Sequence, residues 1–474
     1  MSSELDDIVN AYDVRGRAPE VFDEATATAL AAAFADVIAR PDGHTQVVIG
    51  HDMRTTSPDL TDAVADGLAV RGTDVLSLGL CSTDELYYAS GVHRLPGIMV
   101  TAGSHPADHN GLKLCRAQAA PVDQDSGLLQ VATVAARYLR DGVPEVADDA
   151  AGQVTALDVR GDYAAHLRSL VDLSGIRPLT VVVDAGNGMA GLTVPAVLGA
   201  AGLPDLPVRM IGVHMRLDGR LPSRAGGPLE AESVADLRRT VVDRHADLGL
   251  AFDADADCCL VVDETGNPVH PSAITALIGL RVVEAEERAG RRATVVHNLI
   301  TSRVVPDLMT AAGARAVRTR VGHAYVKREM AAQGAVFGGE HSGHYYFRDF
   351  FFADDGLLAA LHVIAALGEQ PHPLSVLADL YQPYAASGEI NLTVDDPVAA
   401  QERVLAGFRS EPDVVVDRLD GLTVSHWDAV PQWWFNLREA ATAPVLRLNV
   451  EAADVDVMMR IRDSVVGRVR GGRS

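Results

Sequence analysis

Three aspartates alternate with two alanines in the stretch AFDADADCC, directly after the apolar run LGLAF. Asp253, Asp255 and Asp257 therefore stand at the end of a buried strand, where alternate carboxylates can converge on one hard cation. Mg2+ takes oxygen ligands and completes its shell with water and a phosphate. An acidic surface loop would use the same residues, but a position directly after a buried strand favours the metal. The glycine and distal glutamate of a helix–loop–helix calcium site are absent.

A second group lies in TAGSHPADHNGLK, Thr101 to Lys113, after the apolar run GIMV. A serine that accepts a phosphoryl group needs exposure, cations and a proton acceptor nearby. Ser104, His105 and Lys113 are candidates for these roles, and Asn110-Gly111 can turn the chain so that Lys113 comes back towards the serine. An ordinary polar turn accounts for the same residues equally well. In GGEHSGHYYF, Glu340, Ser342 and His344 alternate among glycines that let a ligand approach the backbone. They could grip adjacent sugar hydroxyls, or form a polar turn before an aromatic strand. Arg15 in AYDVRG and Arg54 in GHDMRTTS have the planar fork that suits phosphate. A solvated surface arginine is the alternative for each. VVVDAGNGMAG has the glycines of a phosphate loop but not its spacing, and reads as a structural strand-to-helix turn.

These residues need a scaffold, and the apolar pattern supplies one. Leu30, Phe34, Val37 and Ile38 share a helical face, as do Leu60, Val64 and Leu68. QVVIG, DVLSLG, LTVVVD, DLGLAF and ATVVHN are short buried strands, each followed by a loop and then a helix. This rhythm predicts α/β layers with largely parallel sheets. From about Glu389 the pattern changes to GEINLTV, DVVVDRL, LTVSHW and VLRLNVEA, then the helix DVDVMMRIRDSVV. A small α+β unit is expected there, joined through the linker-like YQPYAASG.

Bulk properties narrow the function. The chain has 474 residues, enough for three or four domains. A net charge of −23, with no basic stretch, argues against nucleic acid and anionic membranes as partners. Small phosphorylated molecules need only local cations, and both lysines of the chain, Lys113 and Lys327, fall inside motifs. No apolar run approaches bilayer length, and MSSELDDIVN has no export-signal pattern. Cys81, Cys115, Cys258 and Cys259 lack zinc-site spacing. A cytoplasmic, reducing location is expected.

Taken together, YDVRG, TAGSHPADHNGLK, DAGNGMAG, DADADC, RVGHAYVK, GGEHSGH and WFNLREAATAPVLRLNVEA, in that order, resemble the α-D-phosphohexomutase family, the phosphomannomutase/phosphoglucomutase enzymes. The resemblance spans nearly the whole chain. It implies an α/β fold: three related α/β domains with mixed, largely parallel sheets around a cleft, plus a small α+β C-terminal domain. The expected ranges are 1–152, 153–266, 267–384 and 385–474. It implies interconversion of hexose 6-phosphate and hexose 1-phosphate, of mannose or glucose, through a phosphoserine and a bisphosphate intermediate. Mg2+ is the implied cofactor, with glucose 1,6-bisphosphate or an equivalent as activator. The expected partner is the hexose phosphate alone, on a monomer or homodimer.

Carried over residue by residue, Asp253, Asp255 and Asp257 match the metal loop, with Ser104 as the phosphorylated residue that shares the ion. Arg15, Lys113 and His323 match positions around the transferring phosphate, with His105 beside the serine. Glu340, Ser342 and His344 match the sugar-contact loop. Arg438 and Thr442 match the fourth-domain phosphate loop.

Several loops depart from the family pattern. The family reads Thr-Ala-Ser-His-Asn-Pro or Thr-Gly-Ser-His-Asn-Pro where this chain reads TAGSHP. Aligned without a gap, Gly103 takes the nucleophile's place and Ser104 the histidine's. Aligned with one extra residue and a missing Asn, Ser104-His105 is kept, moved by one position. Cys258 replaces the arginine that usually ends the metal loop. REAATAP has Ala440 and Ala441 where the family has hydrogen-bond donors, and LPSRAGGPLE lacks the usual Asn-His and Asn-Pro elements. A member that binds phosphosugar or a partner without phosphoryl transfer is the alternative reading.

Overall fold

The computed structural model describes residues 5, 7–199, 203–223, 232–440 and 445–471. Among the described residues, four sheets follow one another along the chain. The first runs in the order Val14–Arg17, His109–Arg116, Gly97–Val100, Gln46–His51, Asp74–Leu80, Val154–Ala156, with Ala120–Pro121 paired to His109–Arg116. The second has Leu179–Asp184 and Leu248–Phe252 parallel at its centre. The third places Thr294–Asn298 parallel to both Arg315–Thr319 and Phe337–Gly339. The fourth is antiparallel throughout, centred on Trp433–Glu439 and Val445–Ala452. The mixed, largely parallel α/β sheets and the closing α+β unit agree with the sequence.

The sheets reach past two of the expected boundaries. Val154–Ala156 pairs with Asp74–Leu80, so the first sheet continues beyond 152. Pro268–Val269 pairs with Cys259–Asp263, so the second continues beyond 266. Strands of two or three residues are too short to leave a periodic signal.

Three of the sheets repeat one device. A parallel strand enters a loop, and the next strand returns antiparallel beside it. Gly97–Val100 is followed by loop 101–108 and His109–Arg116. Leu248–Phe252 is followed by loop 253–258 and Cys259–Asp263. Phe337–Gly339 is followed by loop 340–344 and Tyr345–Phe347. Each of the three chemical motifs therefore occupies the same place in its own sheet, at the carboxyl end of a buried parallel strand.

Packing makes the frame rigid. The helix Gly356–Gly368 is buried along nearly its whole length, and its N-cap Asp355 accepts from the Leu358 N–H at 2.6 Å. Each fully buried leucine of such a helix contributes about 2 kcal/mol. The core around this helix is continuous between the second and third units, through Tyr163, Phe350 and Leu361. The fourth unit has its own core, including Leu422, Phe435, Leu448 and Val465. Among the described residues no helix is long and apolar enough to cross a membrane.

Candidate active site

Loop 101–108 is held from inside the protein. Arg54 is fully buried, and its guanidinium donates to four carbonyls: Gly103 O at 2.7 Å, His105 O at 2.8 Å, Pro106 O at 2.6 Å and His109 O at 3.0 Å. Its Nε donates to Asp52 Oδ2 at 3.1 Å, and Thr101 Oγ1 donates to the same oxygen at 2.7 Å. Arg54 is thus neither a phosphate ligand nor a surface arginine. Its five donors are used on backbone and carboxylate, which satisfies carbonyls that a tight loop cannot pair internally.

Within this loop, Gly103 has φ +54, and a Cβ there would lie 2.9 Å from Arg15 Nη1 and 3.4 Å from Asp255 Oδ1. The 103 position therefore faces the carboxylates. Ser104, the next residue, is exposed. Arg15 is fixed by Asp13 Oδ2 at 2.7 Å and also donates to the Ala102 carbonyl. Its strand can approach closely because Gly111 lies opposite, where a Cβ would fall 1.9 Å from Val14 O. His105 Nδ1 lies 3.0 Å from Arg15 Nη1. Burial, then the Arg15 charge, bring the His105 pKa down to about 4, so its ring is neutral at pH 7.

Loop 253–258 gathers the three carboxylates within 4.8 Å of one another, all buried. Its backbone is braced by DAGNGMAG: Met189 N–H donates to Ala254 O at 2.8 Å, and a Cβ on Gly188 would fall 2.6 Å from that oxygen. That glycine-rich turn is structural, as its spacing suggests. Lys113 reaches across from the first unit, with Nζ 2.6 Å from Asp255 Oδ2 and also bound to Asp257. Thr83 Oγ1 donates to Asp255 Oδ2 at 2.7 Å. Among the described residues, Asp255 Oδ1 is buried without a hydrogen-bond partner, and Asp257 Oδ1 is buried and meets only the His344 ring. Burial, then repulsion from Asp257 and Asp255, push the Asp253 pKa well up. An orphaned buried oxygen on Asp255 and a carboxyl driven to hold a proton are what a divalent ion would relieve, so the trio fits Mg2+.

Loop 340–344 is more committed than its sequence suggests. Glu340 Oε1 accepts from Gly322 N–H at 2.9 Å and Asn298 Nδ2 at 3.1 Å, and Oε2 accepts from Tyr346 Oη at 2.7 Å. His344 Nδ1 lies 2.9 Å from Ser342 Oγ, and its Nε2 lies 3.3 Å from Asp257 Oδ1. Burial opposes charging His344, but the Asp257 bond and charge prevail and raise its pKa to about 10. His323 opens the helix His323–Gln333 and meets Tyr12 edge-on at 4.5 Å. Both its ring nitrogens are buried and unpaired, and burial, then Lys327 and Lys113, keep it neutral.

The three loops enclose one cavity of about 180 Å³. Arg15, Ser104, Lys113, Asp253 and Asp257 line one side, and His323, Glu340, Ser342 and His344 the other. Asp255 lies behind the wall, fully buried. His105 and Arg438 do not line the cavity. Arg438 is the penultimate residue of Trp433–Glu439, with its Nε buried and unpaired. Thr442 lies outside the described residues. Tyr12, Tyr87 and Asp354 also line the cavity and carry no spacing signal of their own. Tyr12 sits inside AYDVRG, and Asp354 pairs with Lys327 at 3.1 Å, so both lysines of the chain serve this region.

Comparison with known proteins decides what this cavity belongs to. Models of phosphoglucomutase/phosphomannomutase alpha/beta/alpha domains I, II and III match residues 6–136, 161–266 and 270–384. The chain belongs to the phosphoglucomutase/phosphomannomutase family. It is thus a phosphohexomutase, an intramolecular phosphotransferase, by homology. The chain is 35% identical to the phosphohexose mutases of Xanthomonas campestris pv. campestris over 465 residues, 98% of each chain. It is 37% identical to a phosphomannomutase of Salmonella montevideo over 453 residues, 94% of this chain and 95% of the other. A crystal structure of a phosphoglucomutase/phosphomannomutase family protein from Burkholderia thailandensis superposes with a TM-score of 0.85 at 27% identity, covering 100% and 99% of the two chains. Two of the departures from the expected motifs, Gly103 and Ser104, line the cavity, and Cys258 follows the lining residue Asp257.

Proposed function

We propose that the protein interconverts the 6-phosphate and 1-phosphate of a hexose, mannose or glucose, with Ser104 as the phosphoryl carrier. The observation that carries this reading is the convergence of Ser104, Lys113 and Arg15 with Glu340, Ser342 and His344 on one cavity, from two separate units. In the first half-reaction the Ser104 Oγ–P bond breaks and a bond forms between that phosphorus and the free hydroxyl oxygen of the hexose phosphate. The hydroxyl proton passes to His323, whose neutral, unpaired ring faces the cavity. It returns to the serine oxygen, so the proton count is unchanged. The bisphosphate then turns over, and its other phosphate returns to Ser104 by the same steps reversed. Lys113, Arg15 and the His344 imidazolium hold positive charge against the transferring group. Asp253, Asp255 and Asp257 would hold Mg2+, which supplies further neutralisation of the phosphoryl oxygens. Arg438 would hold the non-transferring phosphate.

One observation favours a second reading, binding of a phosphosugar without transfer. The side-chain direction that faces Asp255 belongs to Gly103, and Ser104 is the exposed neighbour. Intact-mass measurement after incubation with glucose 1,6-bisphosphate separates the two. Gain of one phosphoryl group, lost in Ser104→Ala together with turnover of mannose and glucose phosphates, is the expected result. An unmodified mass and no turnover, with sugar-phosphate binding retained, leave only the second reading.

A further inference from the structure

Cys258, next to the cavity-lining Asp257, carries a sulfur donor that the carboxylate trio does not use. Asp257, Cys258 and His344 offer one oxygen, one sulfur and one nitrogen, all within 4.8 Å of one another. Asp257 and Cys258 are buried, at 2% and 4% exposure. Asp257 Oδ1 is buried, and the group that faces it is His344 Nε2, at 3.3 Å, longer than a good hydrogen bond. The His344 ring is oriented by Ser342 Oγ at Nδ1, which leaves Nε2 as its inward nitrogen. A ring fixed at one nitrogen and presenting the other is the usual arrangement of a ligating histidine.

We propose that Asp257, Cys258 and His344 form a second, softer metal site beside the carboxylate trio, one that takes Zn2+. Mg2+ has no use for thiolate and seldom takes imidazole, whereas Zn2+ binds mixed Cys, His and Asp sets. Three protein ligands leave a fourth position open, as in zinc sites that bind water or a substrate oxygen. Binding replaces two protons, one on Cys258 Sγ and one on His344 Nε2, and both are released to solvent. Asp257 belongs to both donor sets, so the two ions share it.

The test uses the whole chain, stripped of metal with a chelator and kept reduced, without any sugar phosphate. Titration with Co2+ is followed by absorption. The expected result is a thiolate-to-cobalt charge-transfer band with tetrahedral d–d absorption, abolished by one equivalent of Zn2+ and unaffected by excess Mg2+. Cys258→Ser loses the charge-transfer band and weakens Zn2+ by at least about 10-fold. His344→Gln shifts the d–d spectrum and provides a second variant should Cys258→Ser fold poorly. No charge-transfer band, or a band unchanged in both variants, overturns the proposal. Because the readout contains no turnover, its outcome is independent of whether Ser104 carries a phosphoryl group.

Discussion

Lys113 Nζ lies 2.6 Å from Asp255 Oδ2, and the two residues belong to different α/β units. The pair is buried on both sides, with 8% and 0% of the side chains exposed. It joins the first unit to the second at the point where charge matters most. Removing one partner of a buried pair leaves the other uncompensated, at a cost of about 3–5 kcal/mol.

Lys113→Met should therefore lower the melting temperature sharply in the absence of divalent ions. Added Mg2+ should stabilise the variant more than the parent, since the ion then binds carboxylates that have lost their ammonium. Thermal unfolding of both proteins with and without Mg2+ checks this. Equal Mg2+ shifts in the two would show that the trio does not hold the ion.

Arg54→Lys tests the loop clamp. A single ammonium cannot reach four carbonyls and Asp52 together. A stability loss of about 3 kcal/mol is expected, with faster amide exchange over residues 101–111 and turnover reduced further than stability alone explains. Denaturant unfolding and hydrogen exchange measure the two effects.

Position 103 can be tested by moving the hydroxyl. Ser104→Ala should abolish phosphoryl uptake from glucose 1,6-bisphosphate. Adding Gly103→Ser to that variant should restore uptake, now at residue 103, because its side chain points towards Asp255. The left-handed backbone there costs about 1–2 kcal/mol for any non-glycine residue, so the double variant should melt lower. Peptide mapping of the phosphorylated product locates the group.

Acid should destabilise the protein before carboxylates are titrated. Burial holds the pKa of His270 at about 3, His297 at about 4 and His362 at about 3. Their unfolded value is near 6.5, so the unfolded chain binds more protons below that pH. Stability is full above about pH 6.5 and falls as pH drops towards 3–4, by roughly 1–2 kcal/mol per histidine at pH 5. Melting curves from pH 7 to pH 4 should show this slope, and His362→Leu should flatten it. An unchanged slope would exclude His362 as a contributor.

Much of this was legible in the residues. The alternating aspartates after LGLAF announced a convergent site because a strand end fixes where they point. Both lysines lay in motifs, and both are ion-paired at the cavity. Other roles needed three dimensions. Arg54 looked like a phosphate ligand because nothing in its neighbours says that four carbonyls surround it. Glu340 reads as a sugar contact or part of a polar turn, yet Asn298, Gly322 and Tyr346 already engage its carboxylate. Asp354 and Tyr87 reach the cavity only through packing. The adjacent Cys258 and Cys259 gave no spacing signal, since the histidine that meets Cys258 lies in another unit.

The Arg54 clamp also bears on how such a loop can change. One guanidinium counts off the peptide groups at 103, 105, 106 and 109, so an inserted or deleted residue would turn a carbonyl away from it. Sliding the chain is therefore disfavoured. Change at this rim has to come from exchanging side chains in place, with the backbone path kept.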